Sequence, residues 1–222
     1  MTYSAFIEKL SSCAEAEFAN FQRKLIFTKR KIMGVRTPIL RRFAKEFSKD
    51  IEEIFSYPDE YYETIFIKLT MASALPFGEF LNYLDTCVSL IDNWALCDSF
   101  KAKCIFSHKQ EFLPVLENIF SHGGEYYERY ALVTFLYVYI ESKYLPTVKT
   151  YILRADTSKY YVHMAVSWLV AEILIKDYEY GVDLLNEKLL PAKTHNKAIQ
   201  KAIESYRLTN EQKGALRSLK IK

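Results

Sequence analysis

Apolar residues recur at intervals of three and four along nearly the whole chain, which is the spacing of one face of an α-helix. The stretch 59–74 is typical, because its apolar side chains fall on one helical stripe: Tyr62, Ile65, Phe66, Leu69 and Ala72. A few short apolar runs also fit strands, but they fit buried helices equally well. The pattern therefore predicts about a dozen helices joined by short loops, and no β-sheet.

Several predicted helices begin at residues that are typical of N-caps. Thr37 precedes Pro38, which predicts a capping threonine followed by a proline in the first turn. Asp92 precedes Trp94 and is the predicted cap of the helix that carries this tryptophan. Thr209 is a further candidate cap, ahead of the last helical segment.

The helices are predicted to pair at roughly forty-residue intervals, which is the period of HEAT-like repeats. Many of them are apolar on both sides, and such helices fit stacked layers better than a compact bundle. Composition agrees with a helical protein, because 17 Tyr and 15 Phe far outnumber 6 Gly and 6 Pro. We therefore predict an all-α protein, a HEAT-like-repeat α-solenoid (α-α superhelix) that forms a single domain over residues 1–222.

The sequence offers no pattern for a metal site, a nucleotide cofactor or a membrane span. The four cysteines form no Cys-x-x-Cys pair, which indicates a reduced, cytoplasmic protein. Cys104 and His108 lie one helical turn apart, but two ligands do not make a zinc site, so a structural pair is the better interpretation. The longest apolar run, 130–140, is shorter than the ~20 residues that a bilayer requires.

The distribution of charge is more informative than the net charge of +3, because basic residues cluster at 23–45 and 193–222. In the first cluster, Arg36, Arg41 and Arg42 lie near a predicted helix start, where backbone N–H groups and the helix dipole attract phosphate. The second cluster contains Lys193, His195, Lys197, Lys201 and Arg207. Both clusters can line one concave groove that binds a nucleic-acid backbone, although an ordinary solvated face is the simpler explanation.

Arg129 stands at the head of the most apolar predicted helix in the chain. An arginine in that position must either reach an acidic partner or protrude into a functional groove. Glu128 is a poor partner, because adjacent residues on a helix do not face each other. A salt bridge to another helix and a functional contact therefore both stay open.

The chain has two tryptophans, and the first lies four residues before an aspartate, as Trp94 and Asp98. On a helix this spacing places an indole face beside a carboxylate. Trp168 lies in a later helical segment. A carboxylate flanked by aromatic faces can stabilise a cationic sugar or base. The simpler alternative is two core tryptophans and a surface aspartate that pairs with Lys101 or Lys103.

These segments, taken in order, resemble the DNA alkylation repair family, the AlkD-type HEAT-like-repeat DNA glycosylases. The resemblance begins with Gly-Val-Arg-Thr-Pro-x-x-Arg (34–41) and the Trp-x-x-x-Asp helix (94–98). It continues through the Arg129 and Trp168 helices to Asn196-Lys-Ala-Ile-Gln-Lys and Glu204-Ser-Tyr-Arg, and so covers nearly the whole chain.

The resemblance implies a glycosylase that hydrolyses the N-glycosidic bond of cationic N3- or N7-alkylated purines in duplex DNA. Separately from the resemblance, we expect the protein to act as a monomer and without a cofactor. The resemblance assigns the catalytic aspartate to Asp98 and the tryptophans that contact the sugar to Trp94 and Trp168. The groove arginine falls on Arg129. The other residues expected to bind DNA come from the two basic clusters: Arg36, Arg41, Arg42, Lys197 and Lys201.

Two other functions stay open on the sequence. One is a non-catalytic HEAT-repeat protein that recognises distorted duplex DNA through the same groove. The other is a protein-interaction scaffold, which is the common use of α-solenoids. The combination of Asp98 with two tryptophans favours the enzyme, because neither alternative requires a carboxylate between aromatic faces.

Overall fold

The computed structural model describes residues 1–222, which form fourteen α-helices and one 3-10 helix (Lys103–Ser107). Numbered in chain order, the α-helices are α1 Tyr3–Ser11, α2 Ala16–Leu25, α3 Thr37–Glu46, α4 Ile51–Ser56, α5 Tyr62–Ser73, α6 Phe77–Ser89, α7 Trp94–Ser99, α8 Lys109–Ser121, α9 Glu125–Val138, α10 Leu145–Arg154, α11 Tyr160–Lys176, α12 Tyr178–Asn186, α13 Ala192–Glu204 and α14 Asn210–Ser218. The chain has no β-strand, only two isolated backbone bridges. The all-α prediction is therefore confirmed.

The helices form two compact units, residues 1–108 and 109–222. No helix is both long and apolar enough to cross a lipid bilayer. The stacking of the helices as HEAT-like repeats and the single domain over 1–222 stay predictions.

In the first unit, α5 is the central helix and contacts α3, α4, α6 and α7. Its side chains are buried on every side, including the charged Glu63 and Lys68. The Lys68 ammonium donates to the carbonyl of Tyr57 at 2.7 Å and pairs with Asp59 at 2.6 Å. A buried charge requires such partners, so Lys68 fixes the loop that precedes α5.

Glu63 holds the segment that leads into α3. Its carboxylate accepts hydrogen bonds from the backbone N–H groups of Met33, Gly34 and Val35, at 3.0, 2.8 and 3.4 Å. Gly34 has a φ of +91°, and a Cβ atom there would lie 2.4 Å from the carbonyl oxygen of Glu15. Only glycine fits this conformation and this close approach to α2. The start of α3 is therefore held rigidly.

The predicted cap of α3 is displaced by one residue. Thr37 is the first residue of the helix, Pro38 is the second, and Arg36 occupies the N-cap without a side-chain cap bond. The proline is in the first turn as predicted, but the threonine prediction is wrong, because the Arg36 carbonyl already accepts from the N–H of Leu40. Thr209 is confirmed as the cap of α14.

The predicted cap of α7 is also wrong. The side-chain oxygen of Asn93 accepts from the N–H of Leu96 at 3.0 Å, so Asn93 is the cap. Asp92 is not available for capping, because its carboxylate binds Thr28 and Arg30 in a distant loop. Because the Asp92 carboxylate is engaged in tertiary contacts, the adjacent Asn93 caps the helix instead.

In the second unit, α11 is the central helix and contacts α9, α12 and α13. Its 17 residues are apolar on most sides, with His163 buried among them. The Nδ1 atom of His163 lies 2.9 Å from the hydroxyl of Thr194 on α13. Burial lowers the pKa of His163, and the positive charges of Lys193, Lys197 and Lys201 lower it further. The three lysines of α13 therefore produce a positive electrostatic potential at the buried His163.

Candidate functional site

The residue pair that the sequence singled out lies on the short helix α7 of the first unit. This helix contacts α5 and buries Leu96 and Cys97, while Trp94 and Asp98 are half-buried. Trp94 is the first residue of α7, and Asp98 follows one turn later. The indole and the carboxylate therefore share one face of the helix, as the spacing predicts.

The orientation of Trp94 is fixed by a contact that the sequence did not indicate. Its indole Nε1–H donates to the backbone carbonyl of Leu25 at 3.1 Å. Leu25 is the last residue of α2, and the two partners are 69 residues apart in the chain. No local pattern predicts a bond over such a separation. The bond fixes the orientation of the ring, and the side chain is half-buried.

The loop that follows α2 is also bound to Asp92, just before the start of α7. The carboxylate of Asp92 accepts from the Thr28 hydroxyl at 2.7 Å and from the backbone N–H of Lys29 at 3.3 Å, and it pairs with Arg30 at 2.8 Å. The loop between α2 and α3 and the start of α7 therefore form one rigid piece. Any surface that this loop presents has a fixed position relative to Trp94.

Of the three predicted phosphate-binding arginines, Arg36 already has a partner. Its guanidinium makes two hydrogen bonds to Glu15, at 2.8 and 2.7 Å, and lies 4.8 Å from the ring centroid of Phe18. The guanidinium holds the pKa of Glu15 below its usual value. Arg41 and Arg42 are exposed on α3 and have no acidic partner. These two are the arginines of α3 that a phosphate can reach without breaking an ion pair.

Trp168 lies half-buried on α11 and lines an open depression of about 290 Å³ in the second unit. Lys201 and Arg207 also line this depression, and so does Glu172, one turn after the tryptophan. Arg207 is not a free cation, because it pairs with Glu172 at 2.6 Å. The spacing of Trp94 and Asp98 thus recurs here with a glutamate, which the sequence reasoning missed although Glu172 stands four residues after Trp168.

Arg129 is almost fully buried, with 5% of its surface exposed. Its Nη1 donates to the backbone carbonyl of Tyr161 at 2.8 Å, and its guanidinium lies 5.8 Å from the ring centroid of that tyrosine. The adjacent Glu128 is also buried and pairs with Lys159 at 2.6 Å. Both charges at the head of α9 therefore hold the start of α11. This contact favours a structural role for Arg129, and its contact with DNA stays a prediction.

We expect Arg129→Ala to lower both the thermal stability and the affinity for duplex DNA. Loss of a charge-assisted hydrogen bond costs about 1.5–3 kcal/mol, and the carbonyl of Tyr161 loses the contact that Arg129 makes to the start of α11. Thermal unfolding and binding to a short duplex at several salt concentrations measure the two effects. Lys49→Ala is the control, because Lys49 is exposed, has no partner and lies outside both basic clusters. If stability falls but the folded variant binds DNA as the parent does, the role of Arg129 is structural alone.

His108 contacts the backbone of Cys104 rather than its thiol. The Nδ1 atom of His108 lies 2.9 Å from the backbone carbonyl of Cys104, and its ring stacks on Phe77 with a centroid separation of 4.2 Å. All four cysteines are free thiols. The structure contains no group of three or more His, Cys, Asp or Glu side chains arranged to hold a metal ion.

Comparison with known proteins identifies the family. The sequence model of the family described as DNA alkylation repair enzyme matches residues 6–205. None of the curated proteins matches the chain. The matched range contains Trp94, Asp98, Arg129 and Trp168, and it reaches from α1 to the end of α13. The resemblance read from the sequence is thereby confirmed, and the chain belongs to the DNA alkylation repair enzyme family.

Proposed function

We propose that this protein is a DNA glycosylase that hydrolyses the N-glycosidic bond of cationic N3- or N7-alkylated purines in duplex DNA. Membership of the family supports a role in DNA repair. The observation that carries the glycosylase assignment is the position of Trp94 and Asp98 one turn apart on one face of α7, where both side chains are half-buried.

The chemistry suits a site with a carboxylate and no strong general acid. Alkylation at N3 or N7 makes the purine cationic, so it leaves as a neutral base when the bond to C1′ breaks and takes the bonding electrons with it. Positive charge then develops on the deoxyribose, where an ionised Asp98 stabilises it. The same carboxylate orients the attacking water, which adds to C1′ and gives up a proton to the solvent.

Trp94 contributes a surface for the sugar. The negative π face of an indole attracts the cationic sugar of the transition state. The bond from its Nε1–H to the carbonyl of Leu25 supports this role, because it orients the ring before the substrate arrives. The family resemblance assigns Trp168 a sugar contact and Arg129 a backbone contact, and we include both in the proposal.

The basic residues supply the affinity for DNA. Arg41 and Arg42 are exposed without acidic partners, and the lysines of α13 produce the positive potential that lowers the pKa of His163. We propose that Lys197 and Lys201 bind phosphates, and that the helices stack as a HEAT-like solenoid with a concave basic groove. We further propose that the protein acts as a monomer in the cytoplasm and needs no cofactor.

The test is the release of a base from a duplex that carries one 7-methylguanine. We expect purified protein to release free 7-methylguanine and to leave an equal amount of abasic sites, which alkali converts to strand breaks. Undamaged duplex of the same sequence is the control. If the protein binds the duplex with a steep salt dependence and releases no base, it is a non-catalytic DNA-binding protein. If it does not bind duplex DNA, the scaffold function replaces both.

A further inference from the structure

Large apolar side chains are exposed at the end of α2 and in the loop that follows. Phe21, Leu25 and Phe27 have 56%, 47% and 75% of their surface exposed. They are three of the nine large apolar side chains that the whole chain exposes, and they fall within seven residues. We call residues 21–27 the apolar ridge. A cluster of exposed apolar side chains is typical of a surface that binds another molecule.

Phe27, the most exposed apolar side chain of the apolar ridge, is attached to a fixed backbone. On one side of Phe27, the carbonyl of Leu25 accepts from the indole of Trp94 at 3.1 Å. On the other side, the Thr28 hydroxyl donates to Asp92 at 2.7 Å. Ile26 between these anchors is buried. Phe27 therefore stays in solvent because its backbone is held there, and not because the loop lacks structure.

The charges around the apolar ridge indicate the partner. Residues 21–31 include five basic residues and no acidic one: Arg23, Lys24, Lys29, Arg30 and Lys31. Arg30 pairs with Asp92, but the side chains of Lys24 and Lys29 are exposed and have no acidic partner. An apolar surface with cations on both sides complements duplex DNA, which has phosphates outside and stacked bases inside. A second copy of this chain would instead bring like charges together.

We propose that Phe27 is a wedge that inserts between base pairs beside the damaged nucleotide, while Lys24 and Lys29 bind the flanking phosphates. This inference rests on the proposed function and adds the way in which damage is recognised. Apolar side chains that enter a base step unstack it and kink the duplex. Unstacking is least costly where the base is damaged or missing, so a wedge favours such positions. The Leu25 carbonyl connects the apolar ridge to Trp94. The position of the inserted Phe27 is therefore fixed relative to the Trp94 ring that contacts the sugar.

The experiment compares two duplexes that differ only in a central tetrahydrofuran abasic analogue. Affinity is measured by native gel electrophoresis for the parent and for Phe27→Ala, Phe27→Leu and Leu189→Ala. Leu189 is the control, because it is 58% exposed and lies outside the apolar ridge. We expect Phe27→Ala to lose about tenfold in affinity for the abasic duplex, the size expected for one lost base–aromatic stack, and little for the intact duplex. Phe27→Leu should keep most of the preference, and Leu189→Ala should match the parent.

Three outcomes overturn the wedge. Phe27→Ala binds both duplexes as the parent does, or it loses affinity equally for both, or the parent self-associates through the apolar ridge in a way that Phe27→Ala abolishes. Thermal unfolding should be the same for Phe27→Ala and the parent, because the side chain is exposed.

Release of 7-methylguanine by the parent is measured separately. If base is released and Phe27→Ala behaves as the parent, the wedge fails and the glycosylase stands. If no base is released but the preference for the abasic duplex depends on Phe27, the glycosylase fails and the wedge stands.

Discussion

Asp98→Asn is expected to slow the release of N7- and N3-methylpurines by ~10²–10³, the usual cost of one preorganised electrostatic group. Asparagine keeps the shape of the side chain but removes the negative charge that the cationic sugar requires. Asp98 is half-buried near the surface of the short helix α7, so we expect the fold and the duplex affinity to change little. Single-turnover release from a 7-methylguanine duplex, with affinity measured on the abasic duplex, separates the two effects.

The matched control for this variant is Asp85→Asn. Asp85 is exposed on α6 and has no partner, so the substitution changes the same charge away from the proposed site. Asp92→Asn is unsuitable, because the carboxylate of Asp92 pairs with Arg30. Trp94→Ala and Trp168→Ala should also slow release, but less, since each removes a sugar contact and leaves the charge. If Asp98→Asn releases base as fast as the parent, Asp98 is not the catalytic group.

Gly34→Ala is expected to lower the free energy of unfolding by ~3 kcal/mol or more. A residue with a Cβ atom is strained at a φ of +91°, and this Cβ would lie 2.4 Å from the Glu15 carbonyl oxygen and 2.6 Å from the Ala19 nitrogen. Both neighbours are backbone atoms, so relief requires α2 to move away from the start of α3. Urea or thermal unfolding measures the loss.

Gly78→Ala provides the comparison within the same unit. Gly78 lies in α6, and a Cβ atom there would meet nothing within 4 Å. Alanine is the better helix former by up to ~1 kcal/mol, so this variant should be as stable as the parent or slightly more stable. A Gly34→Ala protein with the stability of the parent would show that α2 and α3 adjust to each other without cost.

The helical class and the position of Trp94 and Asp98 on one face of α7 were predictable because both depend on local spacing. Apolar residues at three- and four-residue intervals determine which face of a helix is buried, whatever that helix packs against. A four-residue separation likewise brings two side chains to one face on any α-helix. Nothing farther along the chain has to be known for either inference.

The buried polar residues were not predictable in the same way. Glu63 and Lys68 on α5 resemble solvent-facing charges in the sequence, yet both are buried and bind backbone groups of earlier loops. Arg129 was recognised as unusual, but its bond to the carbonyl of Tyr161 depends on how α9 meets the start of α11. Such partners are selected by tertiary packing, which satisfies a buried charge with whichever groups it brings near.

The prediction of the α7 cap failed for a related reason. Asp92 and Asn93 are both good caps, and the sequence alone gives no preference between adjacent candidates. The choice is made by Arg30 and Thr28, which bind the aspartate from a loop more than sixty residues earlier. Local rules therefore locate a helix start to within a residue, and distant contacts determine which side chain caps it.

The two tryptophans also allow the unfolding of each compact unit to be followed separately by fluorescence. Trp94 is the sole indole of residues 1–108, and Trp168 is the sole indole of residues 109–222. With excitation that selects tryptophan over the 17 tyrosines, the indole emission of a Trp168→Phe protein comes from the first unit alone, and that of a Trp94→Phe protein from the second alone. Superimposable emission transitions in denaturant would mean that the units melt cooperatively, and separate transitions would assign a melting point to each.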